Sequence, residues 1–504
     1  MRAVSEETAL TIGGIRRAPA RARAQRRITS PPVIPKRLEF LVAPELPPAQ
    51  LADVFTKAGH QIFLVGGSVR DAFLERAVND FDFDFATDAR PERIAELLEG
   101  WADVVYTVGA AFGTVAARKD DRTVEVTTFR REVYRDDSRK PRVTFSDDIE
   151  TDLGRRDFTV NAIALSLMEM DPVDPYGGLA DLAHGVLRTP LDPSISFSDD
   201  PLRMLRLFRF QATLGFEPDT ASLEAVQSMS DRLGIVSAER IRDELSKLIV
   251  APEPARALSG VVSTGLAQYF LPELPSLAME QDPNQRHKDV LAHTFAVVEK
   301  ASPDLTLRLA ALFHDIGKPD TRQFGPDGVS FHHHEVVGAR MTRRRMKELR
   351  YPRHIIDDVA QLVFLHLRPH TLKMGWTDSA VRRYVRDAGH LLPLLNELVR
   401  CDVTTANARR ERAIQNGIDE LEARIAELGE KEELARLRPP IDGHQVMAYL
   451  GIGPGPGIGD IMGLMLERRI DQGPYSPSEA YQMARDWAIA KGLPDPGPPP
   501  DEEE

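Results

Sequence analysis

The stretch Phe63–Asp88, FLVGGSVRDAFLERAVNDFDFDFATD, decides how the first third of the chain is read. An apolar run enters the turn Gly66-Gly67-Ser68, VRDAFLER reads as a helix start, and Asp80, Asp82 and Asp84 then alternate with Phe81, Phe83 and Phe85. Side chains of a strand alternate with a period of two, so this pattern puts carboxylates on one face and aromatics on the other. The aromatic face can bury, whereas the acidic face is unfavourable unless a cation occupies it. Glycines let the backbone approach a ligand closely, and N–H groups at a helix start favour anions. A phosphate cradle followed by paired carboxylates is what two-metal phosphoryl transfer requires. A second strand, RTVEVTTF (122–129), sets Glu125 and Thr127 on one face, so Glu125 offers a third carboxylate. The competing reading is a solvent-facing edge strand.

The 504 residues leave room for roughly two to four domains. Hydrophobic content of 42% and charged content of 28% are those of an ordinary globular protein. One cysteine, Cys401, excludes an internal disulfide framework and suits a reducing cytosol. No apolar run approaches the ~18 residues of a membrane span, so a cytoplasmic location is expected. Residues 1–37 carry RRAPARARAQRR and the Pro-rich SPPVIP and read as a disordered basic arm, either a merely solvated tail or one that touches RNA. The acidic tail 495–504 reads as disordered. A net charge of −13 argues against indiscriminate nucleic-acid binding, yet GARMTRRRMKELRYPRH (338–354) holds seven Lys/Arg. Arg340, Arg343, Arg344, Arg345, Lys347 and Arg350 would form a cationic helix face suited to RNA phosphates, or simply a solvated one.

From Leu38 to Arg188 strand and helix signals mix: QIFLVGG, VVYTVG, FGTVAARKD and RTVEVTTF read as strands, PERIAELLEGW as a helix. Beyond Pro190 helical spacing takes over, as with Leu309, Leu312, Phe313 and Ile316. The expected fold class is an α/β head followed by a mostly α-helical body. Its divisions are 38–188 (head), 189–250 (helical neck), 251–410 (second helical domain) and 411–494 (charge-rich spacer helix and C-terminal helical unit).

GGSVRD, DFDFAT, RRDFTVNAIAL (155–165), DDPLRMLRLFRF (199–210) and ERIRDE (239–244) together resemble the motif series of class II tRNA nucleotidyltransferases. These CCA-adding enzymes belong with bacterial poly(A) polymerases in the polymerase-beta-like superfamily. The resemblance implies that Asp82 and Asp84 bind Mg²⁺, with Asp80 outside the pattern. It implies that Gly66, Gly67, Ser68 and Arg70 hold the triphosphate, with Asp71 a structural partner of an arginine. Arg156, Asp157 and Asn161 fall near the ribose. Asp200 and Arg203 match the pair that reads the incoming base, and Arg206 and Arg209 can reach phosphates or form salt bridges within the neck. Glu239, Arg240 and Glu244 match a bracing motif. Base reading by side chains is physically sound: Asp accepts from the amino group of cytosine or adenine while Arg donates to the ring nitrogen. Uracil and guanine reverse both contacts, at ~1–3 kcal/mol per unmet group. The implied partners are the tRNA 3′ end, CTP and ATP. Poly(A) polymerase is the alternative, disfavoured because VGAAFGTV (108–115) lacks that group's arginines.

HKDVLAHTF, ALFHDIGKP, FHHHEVVGA, LVFLHLRPH and VRCDVTTAN resemble an HD domain, which implies a divalent metal on His293, His314, Asp315 and Asp402. His334 and His366 offer a second position. An HD phosphohydrolase whose head merely binds RNA is the second alternative, and a non-catalytic tRNA-binding protein the third.

Overall fold

The computed structural model describes residues 36–76, 83–135, 138–279, 289–325, 328–369, 376–403, 408–432 and 438–500. Among the described residues up to Val173, nine strands occur in order: β1 (Ile62–Val65), β2 (Phe83–Thr87), β3 (Val104–Tyr106), β4 (Thr114–Lys119), β5 (Arg122–Thr128), β6 (Arg130–Arg135), β7 (Ser138–Phe145), β8 (Ala164–Ser166) and β9 (Pro172–Val173). Seven form one sheet in the order β3-β4-β5-β2-β1-β8-β9, in which only β2 and β5 run parallel; β6 and β7 make a separate hairpin. The Asp/Phe alternation works as a strand alternation should. Phe83 and Phe85 are buried with Ile62, Leu64, Val124 and Val126, while Asp84 points to the opposite face and is exposed. Asp80 and Asp82 lie outside the described residues.

Helices α1 (Pro47–Lys57), α2 (Gly67–Phe73) and α3 (Pro91–Glu99) belong to the aromatic side of the sheet. On the other side α4 (Ile149–Gly154) brings Leu153 onto Phe63, Val65 and Ala86, covering only the β2-β1-β8 half. After α5 (Gly178–His184) and α6 (Pro193–Asp199) comes the helix α7 (Leu202–Leu214). It packs against α9 (Ala238–Ile249) and α10 (Pro254–Ser263), with α8 (Thr220–Met229) on α6.

A helical layer follows: α11 (Val290–Lys300), α12 (Leu305–Phe313), α13 (Lys318–Thr321), α14 (His334–Glu348), α15 (Arg353–Leu365), α16 (Asp378–Ala388) and α17 (Leu392–Cys401). The charge-rich helix α18 (Ala408–Glu432) does more than span a gap. Ile418, Leu421 and Leu428 bury in the main core, against α16 and α17. Helices α19 (Gly443–Leu450), α20 (Pro456–Gln472) and α21 (Pro477–Ala490) enclose a small core of their own, joined to α16 by Arg383, which pairs with Glu467 and Asp471. Among the described residues no helix is long and apolar enough to cross a membrane.

One close approach fixes the site segment. A Cβ at Gly178 would overlap the Thr159 carbonyl oxygen and come within 2.8 Å of Ile163 Cγ1. Gly178→Ala should therefore cost ~1–3 kcal/mol in urea unfolding. Gly234→Ala, with nothing within 4 Å, should stay within ~0.5 kcal/mol.

Candidate active site

The turn between β1 and α2 sets the floor of a cleft of about 460 Å³. Gly66 has φ +80°, a backbone conformation that favours glycine, and its Cα faces Arg156 and Asp84, which a Cβ there would meet at 3.4 and 3.6 Å. The Ser68 hydroxyl, beside this turn, is buried and meets no hydrogen-bond partner. Asp84 lies directly opposite Val65 of β1 on one side and Glu125 of β5 on the other. The two carboxylates are thus cross-strand neighbours on one exposed face, an arrangement that calls for a cation.

Seven arginines line the cleft: Arg70, Arg130, Arg155, Arg156, Arg203, Arg206 and Arg209. Each is held by acceptors behind it. Arg70 donates to Asp71 (2.8 Å) and to the Asn161 amide oxygen (2.7 Å). Fully buried Asp152, on α4, takes Arg155 (2.8 Å) and Arg156 (3.3 Å). Buried Asp157 accepts from Arg206 Nε (3.0 Å) and from Asn161 (3.0 Å), and Glu244 takes Arg209 (2.6 Å). Burial alone would raise the Asp157 carboxyl, but the Arg206 charge and the Asn161 amide hold it well below the ordinary carboxylate range. The Phe210 ring lies beneath three guanidinium groups, 4.0 Å from that of Arg209, 5.5 Å from Arg70 and 5.7 Å from Arg206.

At the far wall Asp200 is tied to Arg240 (2.8 Å) and accepts from the Leu202 amide (3.2 Å). Arg203 donates to the Ser196 hydroxyl (2.8 Å) and to the Arg155 carbonyl, so this base-reading candidate is rigidly set. Arg206 and Arg209 line the cleft while ion-paired, and the bracing expected of Arg240 and Glu244 is visible in these contacts.

A second constellation lies among the helices. His293 on α11, His314 and Asp315 after α12, His334 at the start of α14, His366 after α15 and Asp402 after α17 converge. His293 Nε2 lies 3.2 Å from His314 Nε2 and 2.9 Å from Asp402. His334 Nε2 lies 3.3 Å from His366 Nε2. Asp315 joins the two groups, with Oδ2 3.2 Å from His314 and Oδ1 3.4 Å from His334. His314, His334 and His366 each donate Nδ1–H to a backbone carbonyl, of Ala311 (2.8 Å), Phe331 (2.8 Å) and Val363 (2.6 Å). Those bonds turn Nε2 inward, the second-sphere arrangement of metal-ligating histidines. Burial, with the His314 charge, pushes the His366 imidazole down to about 3. Burial would also lower His314, but Asp315 and Asp402 outweigh it and hold it up at about 10. The cage attracts a positive charge and fits a divalent ion bound by nitrogen and oxygen donors.

The basic helix is only partly as expected. Arg340, Arg343, Arg344 and Lys347 fall at i, i+3, i+4 and i+7 and are exposed, as is Arg350. Arg345 is withdrawn from that face: it forms a two-pronged pair with Glu273 (2.9 and 2.9 Å) and a bond to Glu348 (2.6 Å).

Three family descriptions match: "Poly A polymerase head domain" over 62–188, "Probable RNA and SrmB- binding site of polymerase A" over 215–277, and "HD domain" over 290–407. The A-adding tRNA nucleotidyltransferase of Deinococcus radiodurans is 32% identical over 437 residues, 84% of this chain and 95% of that protein. The chain belongs to the tRNA nucleotidyltransferase family. CCA-adding enzymes of Streptococcus gordonii (38% identity) and a Geobacillus species (41%) match 47% and 42% of the chain, and the matches span 58% and 51% of those two proteins. The fold is that of the Bacillus stearothermophilus CCA-adding enzyme in complex with CTP: TM-score 0.63, 24% identity, 88% of this chain and 99% of that one. It also matches the Thermotoga maritima CCA-adding enzyme complexed with tRNA, with TM-score 0.51 and 18% identity, over 88% and 94% of the two chains.

For a nucleotidyltransferase, the residues that sequence reasoning left out are telling. Arg130, Arg155 and Phe210 line the cleft, and Asp152 anchors two of its arginines. The Asp152 spacing of three and four to Arg155 and Arg156 was a readable signal for helical ion pairing. Asp152→Asn leaves both guanidinium groups without their buried anion, with an expected loss of ~3–5 kcal/mol in chemical denaturation.

Proposed function

We propose that this chain adds C and A from CTP and ATP to the 3′ end of tRNA, rebuilding the terminal CCA without a nucleic-acid template. The observation that carries this reading is the adjacency of Asp84 and Glu125 beside the arginine-lined cleft, with the Gly66-Gly67 turn at its floor. Ser68, Arg70, Arg156, Arg206 and Arg209 would receive the triphosphate, and Asp157 and Asn161 fix the arginines near the ribose. Asp84 and Glu125, together with Asp82 outside the described residues, would hold Mg²⁺. A divalent ion held there would supply activation of the RNA 3′-hydroxyl and neutralisation of the departing pyrophosphate. Asp200, set by Arg240, and Arg203, set by Ser196, would read the amino edge of C or A. The division into head (38–188), neck (189–250), HD domain (251–410) and C-terminal unit (411–494) belongs to the same proposal, as does a cytoplasmic location. The exposed face of Arg340, Arg343, Arg344 and Lys347 would grip tRNA phosphates.

A second reading concerns the histidine cage. Asp315, with one oxygen toward each half, supports a paired divalent site held by His293, His314 and Asp402 on one side and His334 and His366 on the other. Metal there would supply a hydroxide for phosphoester hydrolysis.

Asp84→Asn should abolish incorporation of labelled CTP and ATP into tRNAs ending at the discriminator base, C or CC, while tRNA binding persists. Normal incorporation by the folded variant would refute the assignment. Because the full-length relative is an A-adding enzyme, product lengths in the same assay read how much of CCA is completed. Arg240→Ala should loosen Asp200 and reduce discrimination against UTP and GTP by about tenfold, the scale of one hydrogen bond. Asp315→Asn should lose bound Mn²⁺ or Ni²⁺ in dialysis and elemental analysis yet keep nucleotide addition; retention of full metal content would contradict the cage reading.

A further inference from the structure

Among the described residues, the sheet face that carries Asp84 is covered by α4 over β1, β2 and β8, whereas over β5, β4 and β3 its Glu125, Arg118, Val104 and Tyr106 are exposed. The strand registers define what lies on the exposed half. Asp84 pairs with Glu125, Glu125 with Ala116, and Ala116 with Tyr106. Paired residues of neighbouring strands share a face, so these four form one lateral row from the catalytic carboxylate to the edge of the sheet. Three strand spacings make the row about 14 Å long. Its middle is a small alanine, and it ends on a tyrosine that is 44% exposed. The next row out, Arg118 opposite Val104, is exposed too. Just before β4 an exposed Phe112 (49%) has its carbonyl bonded by Arg130. Large aromatics standing in the open beside guanidinium groups are unfavourable for a folded surface alone, and they match how proteins hold unpaired nucleotides.

We infer that this exposed half-sheet is the seat of the RNA acceptor strand, with the base of a nucleotide upstream of the reacting 3′-hydroxyl stacked on Tyr106. The inference rests on the nucleotidyltransferase reading and adds the direction from which the RNA enters. Gly66, Gly67 and Arg70, which follow β1, set the cleft next to Asp84, with Arg130 reaching it from beyond β5, and the triphosphate would lie on the Gly66 side. In-line displacement puts the attacking oxygen opposite the departing pyrophosphate. The RNA hydroxyl must then arrive from the β5 side, over Glu125, and the strand behind it has the row to Tyr106 to follow. Ala116 is small enough to let a sugar-phosphate chain pass between the two.

The test is steady-state kinetics of Tyr106→Ala and Tyr106→Phe with tRNA lacking its 3′ terminus, joined to photo-crosslinking from an azidophenylalanine placed at position 106. Tyr106→Ala should raise KM for the RNA about tenfold with kcat and KM for the nucleotide unchanged, and Tyr106→Phe should restore it. The azide should crosslink to the last few RNA nucleotides, whereas the same probe at exposed Phe324 in the helical layer should not. Unchanged KM for RNA in a folded Tyr106→Ala variant that still adds nucleotides overturns the seat and leaves the transferase reading standing. A wild-type protein that adds no nucleotide overturns that reading; the crosslink then decides the seat independently. Crosslinks confined to protein, or to RNA far from its 3′ end, also overturn it.

Discussion

Seven guanidinium groups converging on one cleft would repel each other, and everything else about the site depends on how that repulsion is offset. Asp152, Asp157 and Glu244 are buried behind the arginines and pair with them, while Asp71 and the Asn161 amide steady Arg70. The anions sit in the wall and the cations face the cleft. Buried carboxylates of this kind are retained only with close partners, since an uncompensated one costs several kcal/mol. The result is a rigid, electropositive basin whose natural complement is a polyphosphate. Asp84, with Glu125 beside it, stands at the rim with the opposite sign, which a metal ion would reconcile with phosphates.

Much of this was legible in the residues. The Asp/Phe alternation fixed which face of β2 is buried, and Phe83 and Phe85 are indeed in the core. The Gly66 turn, the strand series and the histidine motifs all signal local geometry, and local geometry is what periodicity reports. What could not be read were relations between distant segments. Asp152 serves Arg130 as well as its helical neighbours, accepting from the Arg130 amide at 3.4 Å. Arg345 looks like any other member of a basic stripe until Glu273, 72 positions away, claims it. The charge-rich α18 conceals a narrow apolar stripe beneath its many ionic residues, which is why it read as a spacer. The row from Asp84 to Tyr106 depends on strand order, which no single strand contains.

The histidine cage and the basic face share one helix. Helix α14 begins with His334 in the histidine cage and continues as the exposed basic face. Gly317, next to the cage, packs so tightly on this helix that a Cβ would come within 2.7 Å of the Gly338 amide nitrogen. The cage and the basic face are thus held by one helix packed tightly on its neighbour.

Calorimetric titration of CTP, CDP and cytidine in the presence of Mg²⁺ tests the central claim most directly. If the arginine basin exists to hold phosphates, affinity should fall steeply from triphosphate to diphosphate and be lost for the nucleoside. Cytidine binding as tightly as CTP would show that the cleft recognises something else.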